Sequence, residues 1–170
     1  MRLSRYCRWA SSVGLVIVMT PALADAQGES QTYTDSRGKK IVFPLGDASF
    51  ADEMSFDLGK PAPRDQRWLD AKVALGPPDY NPKTESTKTS DVVLGCAGTL
   101  VVHFNDNALV DVPGPDLYVF EVGPRIEGVL LAISPDGITW TEAGNISGGT
   151  AEVDIAKVAK PDEGYRYTSE

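Results

Sequence analysis

The feature that most constrains the fold is a series of short apolar segments separated by turn residues. The apolar side chains alternate over residues 99–104 and 150–155, whereas residues 117–122 and 129–134 are almost continuously apolar. Alternate residues of a strand share a face, so the first pair predicts half-buried strands and the second pair central strands. About eight such segments, with turns roughly every 8–12 residues, predict an all-β fold: a single antiparallel β-sandwich or jelly roll.

Turn residues and one short helical pattern complete this prediction. Pro135-Asp136-Gly137 lies between two apolar segments and predicts a hairpin turn, because Pro presets φ and Asp-Gly tolerates left-handed backbone. A second hairpin is expected over residues 31–43, turning at residues 35–38. One short helix is expected over residues 66–75, where Gly76-Pro77-Pro78 would end it.

The first 24 residues have the pattern of a secretory signal peptide. Arg2, Arg5 and Arg8 precede an apolar run at residues 13–19, and Ala22-Leu23-Ala24 fits a cleavage site. Ala24-Asp25-Ala26 offers a second site. The apolar run is too short to span a bilayer, which takes roughly 20 residues, so we expect no membrane span after cleavage.

This organisation predicts a signal peptide over residues 1–24, a flexible segment over 25–31 and a β-sandwich domain over 32–170. The product would be exported to the periplasm, to the outer membrane or to the medium. Cleavage would also remove Cys7 and leave Cys96, which follows an apolar strand, as the single cysteine. We therefore expect Cys96 to be a buried, inert thiol.

The charge balance excludes some partners. The chain carries 16 basic and 24 acidic residues, for a net charge of −8, and loss of the three arginines leaves 13 basic residues. Nucleic-acid-binding proteins need a basic face, so a nucleic-acid partner is not expected. The same charge argues against electrostatic docking on an anionic lipid surface.

Residues 105–121 are unusually rich in oxygen-bearing side chains. Carboxylates that are packed closely repel one another unless a cation lies among them, and Ca²⁺ takes six to eight oxygen ligands from irregular loops. Pro113-Gly114-Pro115 would hold Asp111 and Asp116 in place before the metal arrives. The alternative is a solvated acidic turn. For a structural Ca²⁺ the predicted ligands are Asp106, Asn107, Asp111 and Asp116, with backbone carbonyls, and with Asp52 and Glu53 from another strand.

Several of these segments, in this order, resemble a known module. They are residues 50–53, 74–80, 106–111, 114–121, 133–140 and 148–150, and the string Gly114-Pro115-Asp116-Leu117 is the most specific part. The chain is similar over residues 32–167 to the discoidin-like β-sandwich of secreted bacterial cell-surface proteins, as in the N-terminal region of some OmpA-family envelope proteins.

The resemblance implies a galactose-binding-like jelly roll. Such a module often has a structural calcium, here on Asp106, Asp111 and Asp116, and binds glycans or proteins through loops. It also implies a final strand that continues beyond residues 165–170, so we expect the last strand to be incomplete.

Two classes of function remain. The first is a non-catalytic binding module for envelope or extracellular polysaccharide or for a partner protein, with Tyr80 and Trp68 as candidate binding aromatics and Trp140 as a core residue. A purely structural envelope component is a close alternative. The second class is a carboxylate-dependent hydrolase, which we disfavour because no acid pair is marked as catalytic. His103, the only histidine, lies in a strand without a nucleophile motif, so no catalytic residue is predicted.

Overall fold

The structure is a computed structural model, and it describes residues 12–15, 29–35, 37–79, 91–122, 128–146 and 150–169. These residues form strands and short 3₁₀ turns, without an α-helix among them. The strands are β1 (Ser12–Leu15), β2 (Gln31–Thr34), β3 (Lys40–Phe43), β4 (Glu53–Asp57), β5 (Val92–Val93), β6 (Thr99–His103), β7 (Leu117–Val122), β8 (Val129–Ser134), β9 (Thr141–Ile146), β10 (Thr150–Val153) and β11 (Tyr167–Ser169).

The strands form an all-β sandwich, which confirms the predicted fold class. One sheet has the order β10-β7-β1-β5 and the other has the order β4-β6-β11-β8-β9, with antiparallel pairing throughout. A single hydrophobic cluster joins the two sheets. It includes Val92, Leu117 and Val119 from the first sheet and Leu100, Val102, Leu131 and Ile133 from the second.

The predicted alternation along the strands is confirmed at several positions. Leu100 and Val102 in β6, and Phe104 just after it, are fully buried, whereas their neighbours are more exposed. Strand β7 is buried on both faces, because a second cluster of Ile41, Phe43, Phe50 and Phe120 covers the face away from the main core. Strand β8 is central, between β11 and β9, as the apolar run predicts, but Leu130 on the face away from the main core is 54% exposed.

The hairpin β2–β3 supplies most of that second cluster. Phe43 contacts the rings of Tyr33 and Phe50, with centroid distances of 4.9 and 5.3 Å. The turn closes as the sequence predicts, because the Asp35 carboxylate accepts hydrogen bonds from the backbone N–H groups of Arg37 and Lys39.

The prediction of one helix over residues 66–75 is wrong. The structure has two 3₁₀ turns there, η2 (Gln66–Leu69) and η3 (Ala71–Ala74), after η1 (Gly46–Ser49). Asp65 and Asp70 each accept a hydrogen bond from the backbone N–H two residues later. The Asp70 interaction starts a new turn in the middle of the segment, and short side-chain-to-backbone bonds of this kind compete with a continuous helix.

The N-terminal segment takes part in the sheet. β1, which lies in the predicted signal peptide, occupies a position between β7 and β5. Cys96 is half-buried and disulfide-bonded in the full chain, and the buried thiol expected after loss of the leader stays a prediction. The only other cysteine in the sequence is Cys7. Cleavage of the leader stays a prediction.

Candidate metal centre

The first part of the candidate site is the turn from Asp111 to Asp116, which precedes β7. The Asp116 carboxylate accepts a hydrogen bond from Val112 N across the turn at 2.9 Å, and Gly114 takes a positive φ of 106° at its tip. The other oxygen of Asp116 accepts from Ile155 N at 2.9 Å. Asp116 therefore fastens the turn to the chain that follows β10.

The second part is Asp154, which the sequence analysis did not select. Asp154 lies between Val153 and Ile155, both of which are buried, so strand alternation leaves the aspartate outside the core. The pairing of β10 with β7 then places it beside Asp116, whose N–H donates to Val153 O at 2.9 Å. The alternating pattern of residues 150–155 marks Asp154 as outward-facing, but it does not indicate which turn lies next to it.

These two parts bring three carboxylates together. One oxygen from each of Asp111, Asp116 and Asp154 lies within 4.8 Å of the others, and no other such group of three acidic, histidine or cysteine side chains occurs among the described residues. Asp111 and Asp154 are exposed, whereas Asp116 is 1% exposed. We call these three residues the aspartate cluster.

The electrostatics of the aspartate cluster are unfavourable without a counter-ion. Burial is the main cause that raises the pKa of Asp116 above its ordinary value, and the charges of Asp111 and Asp154 add to the shift. Hydrogen bonds from Ile155 and Val112 act in the opposite direction. A cation placed among the three carboxylates would reduce this repulsion.

The donor set of the aspartate cluster fits a hard cation. All the donors are oxygens, and carboxylates in an irregular loop are typical of Ca²⁺, whereas Zn²⁺ sites in proteins draw on cysteine and histidine. If Ca²⁺ binds, Asp111 and Asp154 are the exposed carboxylates that would hold it. Asp116 would contribute through lone pairs that its two backbone hydrogen bonds leave available.

The other predicted ligands form a separate group on β4 and the loop after β6. Asp52 accepts from Asn105 N at 2.6 Å, and Glu53 accepts from the Asn105 side-chain amide at 2.9 Å. Burial, and then the charge of Asp52, raises the pKa of Asp106. Asn107 is buried, and its side-chain amide donates to Ala48 O.

A basic side chain donates hydrogen bonds to the backbone carbonyls of the loop in this second group. Arg166 Nη1 donates to Asn105 O and to Asn107 O at 3.1 and 3.2 Å. The sequence predicted that backbone carbonyls of unspecified residues would complete a calcium shell, and these two carbonyls already accept hydrogen bonds from Arg166. The structure therefore brings only Asp111 and Asp116 of the predicted ligands into the aspartate cluster, and Asp52, Glu53, Asp106 and Asn107 lie in the group that Arg166 organises.

The structure describes one of the two candidate binding aromatics. Trp68, in η2, is 40% exposed. Trp140, just before β9, is 37% exposed, so the prediction that it is a core residue is wrong. Residues 135–140 form a longer connection than the tight hairpin that the sequence predicted, and this places Trp140 outside the paired strands. Tyr80 lies outside the described residues.

His103 is half-buried on β6. Its ring stacks on that of Tyr167, with a centroid distance of 4.2 Å and an interplanar angle of 8°. Its Nδ1 lies 3.8 Å from a carboxylate oxygen of Glu53. Residues of β4 and β11 therefore hold the His103 ring in place on its strand.

Comparisons with known proteins add no identity. No protein-family model, curated protein or solved structure matches the chain. Among the described residues, no helix is long and apolar enough to cross a membrane.

Proposed function

We propose that this chain is an exported, non-catalytic β-sandwich binding module that calcium stabilises at the aspartate cluster. The observation that carries the proposal is the convergence of Asp111, Asp116 and Asp154 from two separate segments, with carboxylate oxygens within 4.8 Å. A cation bound there would join the turn before β7 to the end of β10. It would thereby hold one end of the four-stranded sheet.

The proposed ligand is an envelope or extracellular polysaccharide, or a partner protein of the envelope. Support comes from the resemblance to discoidin-like modules of OmpA-family envelope proteins and from the exposure of Trp68, since aromatic rings on a protein surface can stack on sugar rings. The pattern of the first 24 residues supports export. A structural role in the envelope would use the same metal-stabilised fold.

The hydrolase alternative receives less support from the geometry. Paired carboxylates of glycosidases stand about 5–5.5 Å or about 6.5–9.5 Å apart and act on a substrate between them. Both oxygens of the buried Asp116 instead accept hydrogen bonds from backbone N–H groups, which is a structural role. We propose a structural role for the aspartate cluster.

Isothermal titration of the full chain with Ca²⁺ tests the metal part of the proposal. We expect one site in the wild-type protein and at least a tenfold loss of affinity in Asp154→Asn, which keeps the shape but removes a charge. Asp57→Asn is the matched control, because Asp57 is an exposed strand carboxylate outside the aspartate cluster. A folded wild-type sample that shows no binding heat at two well-separated temperatures would refute the calcium site.

A glycan array tests the ligand part. The calcium-loaded protein is applied as wild type and as Trp68→Ala, with Trp140→Ala as a second exposed-tryptophan variant. We expect binding to envelope-type polysaccharides that Trp68→Ala weakens and Trp140→Ala leaves unchanged. Equal binding by all three proteins would remove Trp68 from the site, and no binding by folded wild type would refute the polysaccharide ligand.

A further inference from the structure

The position of β1 in the four-stranded sheet has a consequence for the exported protein. β1 pairs with β7 from Ser12↔Val122 to Leu15↔Val119, and it pairs with β5 at Ser12↔Val93 and Val13↔Val92. It therefore hydrogen-bonds on both sides. Within the described part of the chain, β5 has no other strand beside it in this sheet.

Removal of the predicted leader would take this central strand away. Cleavage after residue 24 or 26 removes all of residues 12–15. Neighbouring strands stand about 4.8 Å apart, so β5 and β7 lie roughly 10 Å from each other and cannot bond directly without a rearrangement. We call the vacated position between β5 and β7 the strand slot.

With β1 in place, the residues that line the strand slot are buried. Val92 and Val93 of β5 are 0% and 2% exposed, and Val119 and Phe120 of β7 are 1% and 3% exposed. Removal of β1 would leave backbone N–H and C=O groups of β5 and β7 without partners beside these apolar side chains, and unpaired strand edges of this kind favour a new strand.

We infer that the processed domain accepts an extended segment of a partner polypeptide into the strand slot, antiparallel to both β5 and β7. This inference rests on the export part of the proposed function. Insertion of a strand into a sheet is an established mode of peptide recognition, in which main-chain hydrogen bonds supply affinity and alternate side chains supply specificity.

The register defines the chemistry of that segment. Directly opposed residues of paired strands share a face, so a residue opposite Val119 or Val92 faces the main core and should be apolar. The residue opposite Phe120 faces the cluster that contains Phe43, with ring centroids of Phe43 and Phe120 6.3 Å apart. Gly14 holds this position in β1, so a small residue fits there.

The test starts from the folded full chain with a protease site inserted between residues 25 and 28. Cutting is done in EDTA with a reductant, since Cys96 is disulfide-bonded and Cys7 lies in the released segment. The probe is a labelled synthetic peptide of residues 9–18. The control is the same peptide N-methylated at Gly14, which removes one backbone donor and should weaken binding about tenfold.

After release of the leader, we expect amide exchange to increase in residues 92–93 and 119–122, which pair with β1. One equivalent of the peptide should restore protection there, and the control peptide should not. If release unfolds the domain, recovery of the fold by the peptide but not by the control supports the strand slot, and recovery by neither overturns it.

Two further outcomes would overturn the inference. Protection that survives release in a monomer would mean that β5 and β7 close without a third strand. Protection that returns only with dimer formation would assign the slot to a second copy of the chain. A Ca²⁺ titration of the same cut protein is analysed separately, so failure of the calcium site would not be confused with failure of the slot.

Discussion

At the scale of single residues, Asp136 holds the connection between β8 and β9. Its Oδ1 accepts from the backbone N–H groups of Ile138 and Thr139 at 2.8 and 2.7 Å. The bonds from Thr139 and Ile138 lower the pKa of Asp136 to about 2. A carboxyl whose pKa is depressed on folding stabilises the protein above its ordinary pKa, and this stabilisation disappears as the pH falls toward the folded-state value.

We therefore predict a specific acid response for Asp136 variants. The thermal midpoint of wild type should fall between about pH 4 and pH 2 more steeply than that of Asp136→Ala or Asp136→Asn, because neither variant carries the titrating group. At pH 7 the alanine variant should melt below the asparagine variant, which keeps one acceptor oxygen. Parallel pH curves for the three proteins would contradict this role.

Asp116 should respond to pH in the opposite direction. Its pKa is raised, mainly by burial, so the ionised form opposes folding above the ordinary pKa of about 4. In EDTA, acidification from neutral pH toward pH 4 should stabilise wild type more than it stabilises Asp116→Asn. With millimolar Ca²⁺ the sign should reverse, because protons then compete with the metal. An identical pH slope for both proteins in EDTA would refute this assignment.

At the scale of elements, the hairpin β2–β3 contributes to stability through its aromatic face. Phe43 is fully buried, whereas Val42 next to it is 61% exposed. Phe43→Ala should therefore cost about 3–5 kcal/mol of unfolding free energy, and the matched Val42→Ala should stay within about 0.5 kcal/mol. Urea unfolding measures both. Similar costs for the two variants would show that the hairpin does not pack on β7.

The same elements show what the sequence could and could not predict. The alternation of apolar and polar residues predicted β6 and β10, because the pleat of a strand depends only on residues that are adjacent in sequence. It did not identify the two turns η2 and η3, because Asp65 and Asp70 compete for backbone N–H groups within a helical pattern. It also did not find Asp154, because the partner turn lies about forty residues earlier in the sequence and only the pairing of β10 with β7 joins them.

At the scale of the whole molecule, stability depends on what fills the middle of the four-stranded sheet. The full chain has β1 there, so Gly14→Pro should destabilise it by about 1–3 kcal/mol, since proline removes a ladder hydrogen bond from a central strand. The control is Ser30→Pro, just before β2. Gly38→Pro would not serve as a control, because Gly38 has a positive φ that proline cannot adopt. Equal melting of wild type and Gly14→Pro would show that β1 does not support the fold.

A cation that holds the aspartate cluster together should raise the thermal midpoint of the full chain. We would measure it in excess EDTA and in millimolar Ca²⁺, for wild type, Asp154→Asn and Asp52→Asn. Calcium at a hundredfold excess over its Kd should add about 2.7 kcal/mol, which raises the midpoint by about 5–10 °C. We expect this rise in wild type and Asp52→Asn, and a rise at most about half as large in Asp154→Asn, whose affinity is at least tenfold lower. No rise in folded wild type, or a rise abolished by Asp52→Asn instead, would contradict it.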